Sequence, residues 1–144
     1  LRDTKTIVGI CDNQGIAPFL SMAEAIADKS LKIDLTLIYY ARKQNEAIMS
    51  ERLDQLSEEC AEFKVIYVFS DEHVFKCERG FVTKSLIEKY APSSRFSLFA
   101  FGSQALYNRI IPQIAELKLE NSARYAIVKV PKTQGFRFPR TPKR

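Results

Sequence analysis

The residues best able to hold a ligand lie where apolar runs end. The first such place is Asp12-Asn13-Gln14-Gly15, between "TIVGIC" (6–11) and "IAPFLSMAEAIAD" (16–28). An apolar run, a sharp turn and an amphipathic helix in that order direct backbone N–H groups and the positive end of the helix dipole outward, which is anion-binding chemistry. Gly15 supplies a position where backbone can approach a ligand or take positive φ, and Pro18 falls in the first helical turn, where a proline is welcome. Asp12 works against this, because a carboxylate beside a phosphate repels it unless it turns away or caps a backbone group. The turn by itself leaves nucleotide binding and a plain strand-to-helix connection equally open.

Metal and thiol chemistry have less support. Cys11, Cys60 and Cys77 are far apart and form no C-x-x-C pair, and His73 is the only histidine. That excludes the usual zinc and iron–sulfur patterns, and we expect no metal. An odd, sparse set of thiols fits a reducing cytoplasm better than a disulfide framework. With one imidazole to activate them, the cysteines read as inert, and His73 and Cys77 as residues of a polar loop, 71–80, rather than a dyad.

The elements that would position a site follow from periodicity. The runs 6–11, 33–41, 64–70 and 96–102 are short and rich in β-branched and aromatic residues, which suits strands covered on both faces. Between them come helical stripes: Phe19, Met22, Ala23, Ile26 and Ala27, then Met49, Leu53, Leu56 and Cys60. Val82, Leu86 and Tyr90 form a third, and Leu106, Ile110, Ile114 and Leu117 a fourth, which Pro112 should kink or divide. A last strand is expected over 125–130. This alternation predicts an α/β fold, a doubly wound, mainly parallel sheet of five or six strands with helices on both faces, of Rossmann-like type. Ligands of such sheets bind at the carboxyl ends of the strands, here 12–17, 41–46, 70–80 and 102–107.

The chain has 144 residues, enough for one domain with a real core, and no apolar run long enough to span a membrane. Its net charge of +5 invites a nucleic-acid reading. The charge is concentrated, however: Lys129 to Arg144 holds six basic residues and no acidic one, leaving 16 basic against 17 acidic in residues 1–128. We therefore read 1–130 as the α/β domain and 131–144 as an extended basic arm with prolines, either solvated or docked on an acidic partner. Nucleic acid is ranked last as a partner. Glu51 and Glu58 read as a solvated helix face, and Tyr39, Tyr40 and Tyr107 as packing residues rather than base-stacking platforms.

Several pieces taken together resemble one family. "GIAPFLSM" (15–22), "LIYYARKQNEAIMSERLDQL" (37–56), "YVFSDE" (67–72), "RGFVTKSLIEKY" (79–90) and "LFAFGSQALYN" (98–108) fall in the order and spacing of the pyridine-nucleotide domain of the ferredoxin reductase (flavodoxin reductase-like) family. The resemblance covers about residues 5–120. It implies an NAD(P)H-binding module of a cytoplasmic electron-transfer flavoprotein, positioning nicotinamide for hydride exchange with FAD or FMN on a β-barrel domain. No barrel sequence is present, and with a start at Leu1 we expect a piece of a longer chain, inactive alone, whose partners are the nucleotide, that flavin domain and a redox protein.

Carried over by position, the family's glycine-rich turn falls on Asp12, Asn13, Gln14 and Gly15, with only the last glycine kept. Asn13, Gln14, Gly15 and Ile16 would then meet the pyrophosphate, although Gln14 puts a long side chain in its path. Ala41, Arg42, Ser70 and Asp71 would meet the adenosine ribose. Members that take the 2′-phosphate of NADPH tend to have arginine after the serine that ends strand three, whereas Asp71 follows Ser70 here. A carboxylate accepts from a free 2′-hydroxyl and repels a phosphate, so NADH is favoured over NADPH. Arg42 pulls the other way unless it serves as a surface partner of Glu46. The family's C-G-P falls on Phe101, Gly102 and Ser103, which with Gln104 would bound the nicotinamide. Phe101 replaces the cysteine and could pack against a nicotinamide or fill its own pocket. The alternative is a non-catalytic descendant with an altered nucleotide site, retained for interaction or regulation.

Overall fold

Six strands pair in the order β4-β3-β2-β1-β5-β6, every neighbouring pair parallel. The strands are β1 (Lys5–Cys11), β2 (Ile33–Ala41), β3 (Phe63–Phe69), β4 (Glu78–Arg79), β5 (Ser97–Phe101) and β6 (Ile127–Lys129). The helices are α1 (Ile16–Ala27), α2 (Ser50–Glu59), α3 (Lys84–Tyr90) and α4 (Gln104–Asn121). The structure is a computed structural model and describes residues 5–92, 95–121 and 127–129. The basic arm expected over 131–144 lies outside them.

Strand register explains why both faces are apolar. Ile7 pairs with Leu35, and Leu35 with Phe63, so odd-numbered residues share one face across the sheet and even-numbered residues the other. The odd face, including Ile7, Cys11, Leu37, Tyr39, Phe63 and Phe69, packs on Phe19, Met22 and Ile26 of α1 and Leu53 and Leu56 of α2. The even face, including Val8, Ile10, Ile38, Val68 and Leu98, packs on Leu86 and Ile87 of α3 and Leu106, Ile110 and Ile114 of α4. Burying each such side chain contributes about 1.5–3 kcal/mol. The doubly wound reading therefore holds, with all strands parallel.

Local chemistry sets the helix ends. α1 stops in a Schellman motif: Ser30 N–H donates to Ala25 O at 3.0 Å and Lys29 N–H to Ile26 O at 2.8 Å. Lys29 takes the left-handed position, with φ of 64°, that glycine usually fills. α3 starts at Thr83, whose side chain accepts from Leu86 N–H at 3.2 Å. Arg52 of α2 forks onto Glu24 of α1 at 2.6 and 3.0 Å, tying the two helices of the odd face together.

Two details differ from the sequence reading. Pro112 does not divide the fourth helix, which runs unbroken from Gln104 to Asn121. Its exposed position lets the helix lose one hydrogen bond while Ile110 and Ile114 on either side stay buried. The polar loop at 71–80 also carries a strand, because Glu78 and Arg79 pair with Val68 and Phe69. Gly80, at φ 117°, turns the chain away and donates to Phe69 O at 2.9 Å.

Candidate functional site: the crevice between β1 and β5

The strand order reverses at β1, whose neighbours are β2 on one side and β5 on the other. Connections leave in opposite directions there, so a crevice opens at the carboxyl ends of β1 and β5. Two helices begin at it, α1 after a 3₁₀ turn over Asn13–Gly15, and α4 after Gly102 and Ser103. Both direct N–H groups and positive dipole ends to the same place.

Asp12 fills the space between them. Its carboxylate accepts from Gln14 N–H at 3.0 Å, from Ser103 N–H at 3.3 Å and from Ser103 O–H at 2.6 Å. The same Ser103 hydroxyl oxygen accepts from Leu106 N–H at 3.1 Å, capping α4. The expectation that Asp12 could cap a backbone group is met, and the group lies on the β5 side as well as in its own turn.

Gly15 permits a close backbone contact within the chain. A Cβ there would lie 1.9 Å from the carbonyl oxygen of Phe101 and 2.7 Å from the amide nitrogen of Gly102. The close approach that the glycine permits is made by the chain's own β5 end. At Gly102 a Cβ would meet Asp12 Oδ1 at 2.8 Å and Leu106 at 2.6 Å, so this glycine makes room for the carboxylate. Gly102 N–H donates to the Tyr107 hydroxyl at 3.2 Å.

The remaining turn residues divide between polar contacts, solvent and core. Asn13 donates from Nδ2 to Glu46 O at 2.6 Å and accepts from the Tyr39 hydroxyl. Burial pushes the Tyr39 hydroxyl up to about 12, which keeps it a donor. Gln14 is exposed, and Ile16, the first residue of α1, belongs to the core. Phe101 is also core: its ring stacks on Phe19 at 5.0 Å between centroids, so it fills its own pocket. Gln104 is exposed and bonds Asn108 at 2.9 Å.

At the ends of β2 and β3 the polar residues form a chain. Tyr40 and Ser70 hydroxyls are 2.8 Å apart, Ser70 Oγ donates to Asp71 at 2.9 Å, and Arg42 Nε meets Asp71 Oδ2 at 3.2 Å. Arg42 is thus paired with Asp71, correcting the alternative that made it a partner of Glu46. The reason is the parallel register, which puts β2 and β3 ends side by side and lets Asp71 N–H donate to Arg42 O at 2.9 Å. The Ser70 hydrogen bond, then the Arg42 guanidinium, hold the Asp71 carboxyl below its ordinary value. Ala41 is buried, and its carbonyl accepts from Ser70 N–H at 3.3 Å.

Between these groups is a cavity of about 220 Å³, walled by Asp12, Tyr40, Arg42, Ser103, Phe81 and Arg109 among others. Tyr40 and Phe81 rings are 5.7 Å apart, and the Arg109 guanidinium lies 3.6 Å above the Phe81 ring. Phe81 and Arg109 were not foreseen. Only the exposed aromatic after Gly80, and the four-residue spacing of Ala105 and Arg109 on α4, could have signalled them.

The thiols have no part in this site. Burial, then the Asp12 charge, push Cys11 far up, and burial comes first in raising Cys60 and Cys77. Among the described residues no cluster of His, Cys, Asp and Glu is placed to hold a metal, and no helix is long and apolar enough to cross a membrane.

Comparison with known proteins agrees with this architecture. The profile of the oxidoreductase NAD-binding domain matches residues 10–110. NADH-cytochrome b5 reductase 1 of Dictyostelium discoideum is 31% identical over 91 residues, covering 62% of this chain and 32% of the relative. NADH-cytochrome b5 reductase 2 of Mycosarcoma maydis is 31% identical over 93 residues, 63% of this chain and 27% of the relative. This chain therefore spans about a third of the curated relatives it matches. The cytochrome b5 reductase domain of Ulva prolifera nitrate reductase superposes with a TM-score of 0.72 at 16% identity, over 88% of this chain and 49% of that one. A ferredoxin NADP+ reductase from Neisseria gonorrhoeae superposes with a TM-score of 0.65 at 20% identity, over 88% of this chain and 56% of that one. It shares its fold with these reductase structures, and by its profile match over residues 10–110 the chain belongs to the oxidoreductase NAD-binding domain family.

Proposed function

We propose that this chain is the nicotinamide-nucleotide module of a flavin-dependent electron-transfer oxidoreductase, working with FAD or FMN held on a separate domain. The observation that carries the reading is the cavity beside the β1–β5 crevice, where aromatic faces and two guanidinium groups converge at the carboxyl edge of a parallel sheet. The residues fit a nucleotide. Tyr40 and Phe81 offer apolar faces to a base or ribose, and Arg109 offers charge to phosphate. The bound nicotinamide would supply the hydride chemistry; this chain binds, orients and excludes water.

We infer a preference for NADH. Asp71 stands at the end of β3 as an ionised acceptor for a ribose hydroxyl, and Arg42, the group that could hold a 2′-phosphate, is engaged by that same carboxylate. The relatives named as NADH-cytochrome b5 reductases support this choice. Three thiols with no disulfide among them suit a reducing cytoplasm.

The test is an amide-shift titration of the chain with NADH, NADPH and ADP-ribose. The reading expects shifts at Arg42, Phe81 and Ser103, with NADH stronger than NADPH. No shift at millimolar nucleotide, with none from adenosine either, would overturn it. The second reading, a descendant kept for interaction or regulation, is favoured by one observation: Asp12 already takes the Gln14 and Ser103 N–H groups at the two turns.

A further inference from the structure

We propose that Asp12 determines which ligands this site accepts, by placing the chain's own carboxylate where the pyrophosphate of a dinucleotide would bind. The inference rests on the nucleotide-binding reading above and adds a rule to it: the free domain admits a nucleoside and resists a diphosphate until Asp12 swings out.

Three observations converge on Asp12. The donors that an anion would use come from two helix starts, α1 and α4, and the carboxylate engages both, through Gln14 N–H on one side and Ser103 N–H and O–H on the other. Gly102 is fitted to this contact, since a Cβ at that position would press on Asp12 Oδ1 at 2.8 Å. Asp12 and Ser103 also wall the 220 Å³ cavity, so the carboxylate stands beside the space a nucleotide would enter. A second anion brought there meets a like charge and finds these donors occupied. Removing the charge while keeping an oxygen acceptor should open the site without untying the β1 and β5 ends.

The same geometry separates this rule from simple loss of the site. Tyr40, Phe81 and Arg109 are independent of Asp12's hydrogen bonds, so the nucleoside part of the cavity stays formed whatever Asp12 does.

The experiment measures binding of adenosine, ADP-ribose and inorganic pyrophosphate to the 144-residue chain by calorimetry and amide shifts. The proteins are the unchanged chain, Asp12→Asn and Asp12→Gly, each first checked for cooperative unfolding. Asparagine keeps an acceptor for Gln14 and Ser103; glycine removes the side chain and covers the case in which asparagine does not fold. Adenosine should bind all three alike. ADP-ribose and pyrophosphate should bind the variants more tightly by on the order of tenfold, with shifts at the Gln14 and Ser103 amides. If adenosine binds but the diphosphates are indifferent to residue 12, or bind the unchanged chain best, the Asp12 proposal is overturned and the nucleotide reading stands. If no ligand binds any of the three, both fall.

Discussion

Residues 15 and 101 touch backbone to backbone: a Cβ on Gly15 would come within 1.9 Å of the Phe101 carbonyl oxygen. The start of α1 is thereby seated on the end of β5, and the two sides of the crevice form one piece. Replacing Gly15 with alanine must push them apart, because neither backbone can yield as a side chain would. The expected loss is about 3 kcal/mol, at the upper end for overpacked sites. Urea unfolding of Gly15→Ala measures it, and a loss below about 1 kcal/mol would mean that the seat is softer than described.

Phe101 stacks on Phe19 inside the apolar layer under α1. Phe101→Cys, the residue the family places there, should therefore cost about 2–4 kcal/mol through lost burial and the cavity left behind. Nucleotide affinity should stay within twofold. A stable Phe101→Cys chain with altered nicotinamide binding would put the ring in the site instead of the core.

The Asp71 carboxyl is held low first by Ser70 and then by Arg42. A depressed carboxyl adds stability that is fully present above its unfolded value, roughly pH 4, and is lost as pH falls through the folded one. Ser70→Ala should raise the midpoint that carbon-detected NMR reads for Asp71, and Arg42→Ala should raise it less. Equal midpoints in all three proteins would dissolve the proposed chain of contacts from Tyr40 to Arg42.

Lys29 occupies a left-handed position at the end of α1. Lys29→Gly relieves the Cβ strain while keeping both Schellman hydrogen bonds, so stability should rise by up to about 1 kcal/mol, visible as a higher melting temperature. A fall would show that the lysine side chain packs usefully.

Cys11 is wholly buried and Cys60 nearly so, whereas Cys77 is partly exposed. An alkylating reagent at pH 8 should modify Cys77 first, and Cys11 only after unfolding, as peptide mass spectrometry would show. Early labelling of Cys11 would indicate that the β1 end opens in solution.

The sequence announced most of this sheet and little of its crevice. Runs such as "IDLTLIYYA" are apolar in both parities because both faces are covered, and that pattern is visible without coordinates. Glu78-Arg79 could not be seen as a strand: it is two charged residues long and exists only because β3 offers an edge. Asp12 and Ser103 are 91 residues apart in sequence, so a reader could name both turns but not their bond. The alternative that pairs Arg42 with Glu46 rests on helical spacing, a local rule that loses to a neighbour one strand over. Phe81 and Arg109 each look like an ordinary surface residue until α4 lies beside the start of α3.

The position of β1 also bears on how the chain is made. Its first neighbour, β2, follows after one helix, but its second, β5, is not begun until Ser97. At about 5–20 residues per second, one edge of the central strand waits several seconds on the ribosome with its backbone unpaired. During that interval α1 has no seat for Gly15, and Asp12 no serine to hold. The last strand to reach the centre therefore completes both the sheet and the crevice, so a chain stalled before residue 97 would expose a sticky, half-wound sheet to chaperones.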